Sequence, residues 1–546
     1  MIGVILFLAM WSGQGREARR VATAPPTYRI RGVVVDATNG GPVAGAEVSI
    51  QAEGEVIKAT ASGDGTFVLD GLPAGKYPLY ATAQGYVREG YNQHGAFLSA
   101  IVAGPDQDSE HIIFRLHPAA LIHGAVTDEN GDPVRQGQVM LFEKTPSGTT
   151  DFRAQRMTND QGEYRFAHLE AGRYSVAVQA RPWYAESGFR YVQTGTQQET
   201  VGFHRIQLEL NPALDVIYPI TFYPGVTDEN AAGEISLVAG EKEEANIALR
   251  ASPALHIRVT GLLKNEERQG FSVMVTRKLF GSFPAFENTA FVQIAPGEYE
   301  VSGLLPGSTT LTVRSGEGEE ATSEVIKTTL GDGDEVNAEE AGAMAKVSGR
   351  VIFRDGRARE GSLRLFSDEG QFLDAKLQRG GTFSFAAIQG GHYRVIVNAT
   401  NEQDYVAKIV ATGAKASEDN IEIEGAGDVV MNVMVGEGFG TVTGMAKLDG
   451  KGEAGVMILL VPESSEKLED YARMDQSDSD GTFTLASILP GKYVLMAIED
   501  GWGLKWRDKE QLKPYREKGQ ILQIGANQKM EVTVEVQRKM KAGEKE

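Results

Sequence analysis

GTFVLDGLPAGKYPLY, residues 65–80, decides how this chain is read, because its pattern returns four more times. The copies are GEYRFAHLEAGRYSVA at 162–177, GEYEVSGLLPGSTTLT at 297–312, GTFSFAAIQGGHYRVI at 381–396 and GTFTLASILPGKYVLM at 481–496. All align without gaps, and in each the second Gly follows the first by ten residues. Five such coincidences mark an internal repeat. After the first Gly, apolar residues recur two apart, as in Phe67 and Leu69 or Phe483 and Leu485, which is the period of a strand with one buried face. An apolar anchor follows (Leu72, Leu169, Leu304, Ile388, Ile488), then a tight turn, then a second strand led in four copies by Tyr77, Tyr174, Tyr393 or Tyr493. The unit is therefore strand, turn, strand, with glycine expected to supply positive φ at both turns and the tyrosines expected in cores or corners.

Outward from this unit, further strand signals precede it. Segments with a central Gly stand at 30–35 (IRGVVV), 122–127 (IHGAVT), 347–353 (VSGRVIF) and 442–447 (VTGMAK), with a degenerate version at 255–262 (LHIRVTGL). Second strands are expected at 46–50, 138–142, 271–275, 362–366 and 456–461, and closing strands at 112–116, 245–249, 429–435 and 532–536. Six or seven short strands per unit with turns between them argue an all-β chain of five tandem antiparallel β-sandwich domains, Ig-like in architecture. The expected boundaries are 25–118, 119–252, 253–344, 345–438 and 439–538, with an aromatic insertion at 181–225 in the second and a charged tail at 539–546. The acidic, Gly-rich stretch 314–342 reads as a loose linker, and 505–518 is the best helical segment although Pro514 limits it.

Composition narrows the function. At 546 residues the chain is too long for one compact domain. Lys and Arg total 54 against 74 Asp and Glu, a net charge of −20, and no basic cluster tracks phosphates, so nucleic acid is excluded as a partner. Glycine is abundant, 64 residues against an ordinary share of about 7 per cent, which fits a turn-rich chain. Cys is absent, which removes disulfides, thiolate metal sites and a cysteine nucleophile. Residues 2–11 (IGVILFLAMW) are an apolar run shorter than the roughly 20 residues of a membrane span, so residues 1–24 read as a signal peptide or an N-terminal anchor, with export to periplasm, cell surface or medium.

The residues Arg31-Gly32-Val33-Val34-Val35-Asp36, Gly41-Pro42-Val43-Ala44-Gly45-Ala46-Glu47-Val48 and Asp64-Gly65-Thr66-Phe67, repeated in the second unit as His123-Gly124-Ala125-Val126-Thr127-Asp128 and Asp132-Pro133-Val134, carry a family resemblance. The pattern resembles the carboxypeptidase regulatory-like domain and extends over nearly everything from about residue 27 to 537. The first, second and fifth units match it specifically, the fourth lacks the Pro and the third is degenerate. The resemblance implies prealbumin-like sandwiches of the carbohydrate-binding-like fold, usually in exported bacterial proteins, and a domain that does no chemistry itself. A fold does not fix an activity.

No catalytic, metal or cofactor site is expected. None of the eight His opens an HxxE or HExxH, no Ser sits in GxSxG, and the GLPAGK stretch at 71–76 leads into a strand where a phosphate loop leads into a helix. The acidic turns Asp128 to Asp132, Asp332 to Glu335 and Asp478 to Gly481 lack the spacing of a calcium loop and read as turns in which Asp and Asn bond their own backbone. A hydrolase site in the insertion would have to use Glu186, Glu199 and His204, which are too few and too scattered. The residues that stand outside the repeat are aromatic: Trp183, Tyr184, Phe189, Tyr191, Phe222 and Tyr223 in the second unit, and Trp502, Trp506 and Tyr515 in the fifth. Of these Trp183, Tyr184, Tyr223, Trp502, Trp506 and Tyr515 are the ligand-binding expectation, since sugar rings present apolar faces to an aromatic plane. Packing between units is the competing reading. The expected function is a non-catalytic binding or spacer protein whose partner is a glycan or an envelope protein, with a structural stalk or scaffold as the alternative.

Overall fold

The computed structural model describes residues 26–185, 211–260 and 271–539, apart from 53, 146–147, 282, 288, 296–297, 316–321, 332–333, 338–343, 358, 369–371, 400–402, 426 and 465–470 within them. The segment expected as a leader, Glu186, Phe189, Tyr191, Glu199, His204 and most of the charged tail lie outside the described residues. The described chain is almost entirely β-strand, arranged in sheets that follow the repeat.

Each unit is organised around its first strand, which contains a Gly in all but the third. Tyr28–Asp36 pairs antiparallel with Thr66–Leu72 on one side and parallel with the last strand of the unit, Ile112–Leu116, on the other. The same triplet recurs around Ala120–Thr127, Leu255–Thr260, Met344–Phe353 and Gly440–Leu448. The second sheet of each unit is built on the strand that follows: Glu47–Ala52, for example, lies between Glu55–Thr60 and Tyr80–Thr82. Apolar residues alternate into the space between the sheets, and five hydrophobic clusters result, one within each repeat. Phe67, Phe166 and Phe483, the aromatic positions of the repeat, are among the largest side chains fully removed from solvent. Burial of each contributes about 1.5–3 kcal/mol.

The central glycine has a steric cause. A Cβ on Gly32 would stand 2.2 Å from the Ile112 carbonyl oxygen, and one on Gly349 would stand 1.7 Å from that of Met431. The parallel last strand therefore approaches too closely for a side chain. In the third unit the register places Val259 opposite Tyr299, at the position the glycines hold elsewhere, and the parallel partner there is only Glu335–Asn337.

The two glycines of the ten-residue spacing do different work. Gly65, Gly162, Gly381 and Gly481 adopt φ between +74° and +84°, as expected for the first turn. The second glycine is not in that region in four of the five units, which corrects the expectation. There the ring of the tyrosine two residues on folds back over it, 3.4 Å from a Cβ built on Gly75 and 3.3 Å from one on Gly491. The hydroxyl then donates to the carbonyl four residues upstream: Tyr77 to Pro73 at 2.8 Å, Tyr174 to Glu170 at 3.0 Å, Tyr393 to Gln389 and Tyr493 to Leu489 at 2.8 Å. Four tyrosine corners thus close four turns.

Two further expectations change. The stretch 314–342 is not simply a linker: Thr322–Leu330 pairs along nine residues with Gly307–Ser315, and Ile326, Leu330 and Val336 enter the core of the third unit. Its acidic residues masked the apolar positions between them. In the fifth unit Lys509–Glu517 is helical, with Asp508 as N-cap accepting from the Glu510 amide at 3.0 Å. This helix covers the outer face of the sheet with Leu512 and Tyr515, so that Met457–Pro462 is buried on both faces.

The units also pack on one another. Phe142, Ile220, Phe222, Leu279 and Ala285 form an apolar seam between the second and third. Most unexpectedly, the first unit meets the fifth. The edge strand Ala100–Ala103 sets its backbone against the turn at 477–479: Ala100 N–H donates to Asp478 Oδ1 at 2.9 Å, Val102 N–H to Ser479 Oγ at 2.8 Å, and Ser479 N–H returns to the Ala100 carbonyl at 3.0 Å. Ser99, Gln476 and Ser477 are at most 1 % exposed there, with Ser99 Oγ donating to the Ser477 carbonyl at 2.7 Å and the Gln476 amide to the Asn92 carbonyl at 2.6 Å. The first and fifth units are therefore in direct contact in the folded chain.

Candidate functional site

The second unit carries a cleft of about 400 Å³ where three separate stretches of chain meet. One wall is the turn after the first strand, with Asp128, Asp132, Pro133, Val134 and Arg135. Another is the end of Gly172–Gln179 running on into Arg181 and Trp183, and the third is Tyr218. Asp128 is buried because its Oδ1 accepts from the amides of Asn130 at 2.9 Å and Asp132 at 2.8 Å, which is what makes the turn. Its carboxylate is thereby engaged with the backbone.

Trp183 is 86 % exposed, the most exposed large apolar side chain among the described residues. Its ring stands edge-on to Tyr184, 5.8 Å between centroids at 89°. Behind it, the hydroxyls of Tyr184 and Tyr218 both donate to the Glu129 carboxylate, the second at 3.3 Å. Burial, then the bond to Glu129, push the Tyr184 phenol up to about 12, and burial and Glu129 raise Tyr218 as well. Both phenols therefore stay protonated at neutral pH and serve as donors to Glu129, which holds the Tyr218 wall in place. Asp132, Arg135 and Arg181 are exposed at its rim and offer acceptors and donors beside the indole plane. Such a set suits a hydroxyl-bearing ring stacked on Trp183 and hydrogen-bonded at its edge.

The structure brings Trp183 and Tyr184 together here and places the other expected residues elsewhere. Tyr223 packs against the core of the second unit, and Phe222 is 2 % exposed in the seam with the third. Trp502 lies at the meeting of the first and fifth units, stacked on His94 at 4.9 Å and 7°, with its indole N–H donating to the Gly455 carbonyl at 3.1 Å. Trp506 packs on the outer core of the fifth unit with the Arg507 guanidinium 4.8 Å over its ring, and Tyr515 is buried beneath the helix. A second cleft, about 460 Å³ between the second and third units, is lined by Phe222, Asp228, Arg277 and Lys278 but has no exposed aromatic plane. Sequence reasoning missed Arg135, Arg181 and Tyr218 as cleft residues, and Glu129 as the group that holds Tyr218. The aromatic content of the insertion was a signal for Tyr218; nothing local marked the rest.

The acidic turns resolve differently. That at Asp478 holds the first unit: besides the Ala100 amide, its Oδ2 receives the Lys76 ammonium at 2.6 Å. Residues 332–333 of the turn at Asp332 lie outside the described residues. Among the described residues no group of three or more His, Asp and Glu could hold a metal ion, and no helix is long and apolar enough to cross a membrane.

Comparison with known proteins agrees with the repeat. The carboxypeptidase regulatory-like domain matches residues 29–110 and again 121–208, and the second β-sandwich domain described for the NOMO1-like subunit of the BOS complex matches 437–523. No curated protein matches the chain. Among solved structures, the minor pilin of Streptococcus agalactiae is 16 % identical, covering 37 % of this chain and 99 % of its own, with a TM-score of 0.20. A streptococcal ancillary pilin is 13 % identical over 52 % of this chain and 98 % of its own, at 0.21. A carbohydrate-binding protein, so described, from Bacteroides uniformis is 11 % identical over 28 % and 88 %, at 0.13. Scores this low carry no argument about function. The family likeness is carried by residues 29–110 and 121–208, which match the carboxypeptidase regulatory-like domain.

Proposed function

We propose that this is an exported, non-catalytic protein of five β-sandwich domains, divided near residues 118, 252, 344 and 438, that binds a glycan of the cell envelope through its second domain. One observation carries the reading: an indole plane, that of Trp183, left 86 % exposed at the mouth of a cleft rimmed by Asp132, Arg135 and Arg181. An exposed indole plane with hydrogen-bonding groups at its edge is what stacks on the apolar face of a sugar ring. The groups behind it are committed to structure, Asp128 to its turn and Glu129 to two tyrosines, which supports binding over chemistry. Net charge of −20 favours neutral over anionic ligands.

The test is a screen of residues 25–546 against soluble and insoluble polysaccharides, repeated with Trp183→Ala and Trp502→Ala. Binding that is lost in Trp183→Ala and retained in Trp502→Ala supports the reading. A full screen without binding, or binding indifferent to Trp183, refutes it. A scaffold role is the second reading, and the junction of the first and fifth units favours it because it fixes the two ends of the array together.

A further inference from the structure

Between the second and third units a single histidine holds two carboxylates from different parts of the chain. His256 Nε2 lies 2.8 Å from Asp215 Oδ2, and Nδ1 lies 3.0 Å from Glu300 Oε1. A neutral imidazole has one N–H, so it donates to one carboxylate and turns a lone pair to the other; the imidazolium donates to both. The group is sheltered, with side-chain exposures of 22 % for His256, 17 % for Asp215 and 19 % for Glu300. The other Asp215 oxygen is buried without a hydrogen-bond partner. Arg258, two residues along the same strand, is register-paired with Glu300 and with Glu335, and Glu298 precedes Glu300 on its strand.

Asp215 sits near the end of the insertion, three residues before the cleft wall at Tyr218. Val216–Ile217 pairs with Ser252–Pro253, and the Ala254 N–H donates to the Asp215 carbonyl at 2.9 Å. Three residues after Asp215 comes Tyr218, the wall of the cleft and a partner of Glu129. We infer that His256 is a proton-operated latch that fastens residues 215–218 to the strand entering the third unit and thereby sets the shape of the second-unit cleft. The part that concerns ligand rests on the binding reading above; the latch does not.

The direction follows from linkage. Burial alone would lower the His256 pKa, but Glu300 and Asp215 together raise it above 6.5. A group whose folded pKa is raised contributes its full stabilisation below the unfolded value and loses it as pH rises through the folded one. The latch is closed in acid and opens toward alkaline pH.

The experiment follows the histidine rings of the full chain by NMR, with His256→Gln to assign the resonance, and measures hydrogen exchange of peptides spanning 211–220 and 252–256 from about pH 6 to about pH 9. After correction for intrinsic rates, protection in the wild type should fall over this range by about tenfold for each unit by which the His256 pKa exceeds 6.5. His256→Gln should show protection independent of pH, and Asp215→Asn should lower the His256 pKa, which keeps the test valid if either variant is unstable. A His256 pKa at or below 6.5, or wild-type protection that does not change with pH, overturns the latch. Glycan affinity is a separate arm: absence of binding at every pH would remove the binding reading and leave the latch to be decided by exchange alone.

Discussion

Replacing Asp478 by Ala should open the contact between the first and fifth units. The carboxylate is 15 % exposed and accepts two bonds across the junction, from the buried backbone N–H of Ala100 and from Lys76. A hydrogen bond to a charged group contributes about 1.5–3 kcal/mol, and its loss leaves the Ala100 amide unpaired. Lys76 is 43 % exposed, so its ion pair adds no more than about 1 kcal/mol. Together the substitution should cost about 2–4 kcal/mol, which lowers the closing equilibrium roughly 30- to 1,000-fold. Hydrogen exchange of the peptide containing Ala100 and Val102 reads this directly, with Asp70→Ala as control, since Asp70 is 72 % exposed and only 4.0 Å from Arg29. Exchange in Asp478→Ala as slow as in the wild type would show that the junction does not depend on this carboxylate and would refute the reasoning.

Other outcomes follow from the repeat. Tyr493→Phe should lower the stability of the fifth unit by about 0.5–1.5 kcal/mol in chemical denaturation through loss of the Leu489 bond; no change would mean the corner is decorative. Gly349→Ala should cost the fourth unit about 3 kcal/mol or unfold it, because the new methyl meets the Met431 oxygen, and an unchanged melt would contradict the strand register. Tyr515→Ala should cost about 3–5 kcal/mol, whereas Trp183→Ala should leave the stability within about 0.5 kcal/mol of wild type; similar melts for both would be inconsistent with their burial.

What the sequence makes legible is whatever repeats. The strand, turn, strand unit, the buried aromatic positions and the corner tyrosines are visible because each depends on residues within about fifteen positions of one another. The helical segment expected at 505–518 is local too, and the structure narrows it to Lys509–Glu517. The third unit is hard to read because Val259 replaces the marker glycine and its last strand is three residues long within an acidic stretch. The cleft and the junction are not legible. Trp183, Glu129 and Tyr218 are brought together by folding across 89 positions, and Ser99 meets Ser477 across 378. An acidic turn that caps a neighbour reads locally like any solvated turn.

Parallel pairing of the first and last strands gives each unit a mechanical character. Tension applied at the two ends of such a unit pulls the pair along its own axis, so the rungs of the ladder are loaded together in shear; a hairpin under the same pull peels one rung at a time. The ladder is nine residues long in the fourth unit, seven in the fifth, five in the first and three in the third. Under force the third unit is the one that yields first, and the contact between the first and fifth units, lying outside every one of these ladders, is strained before any of them.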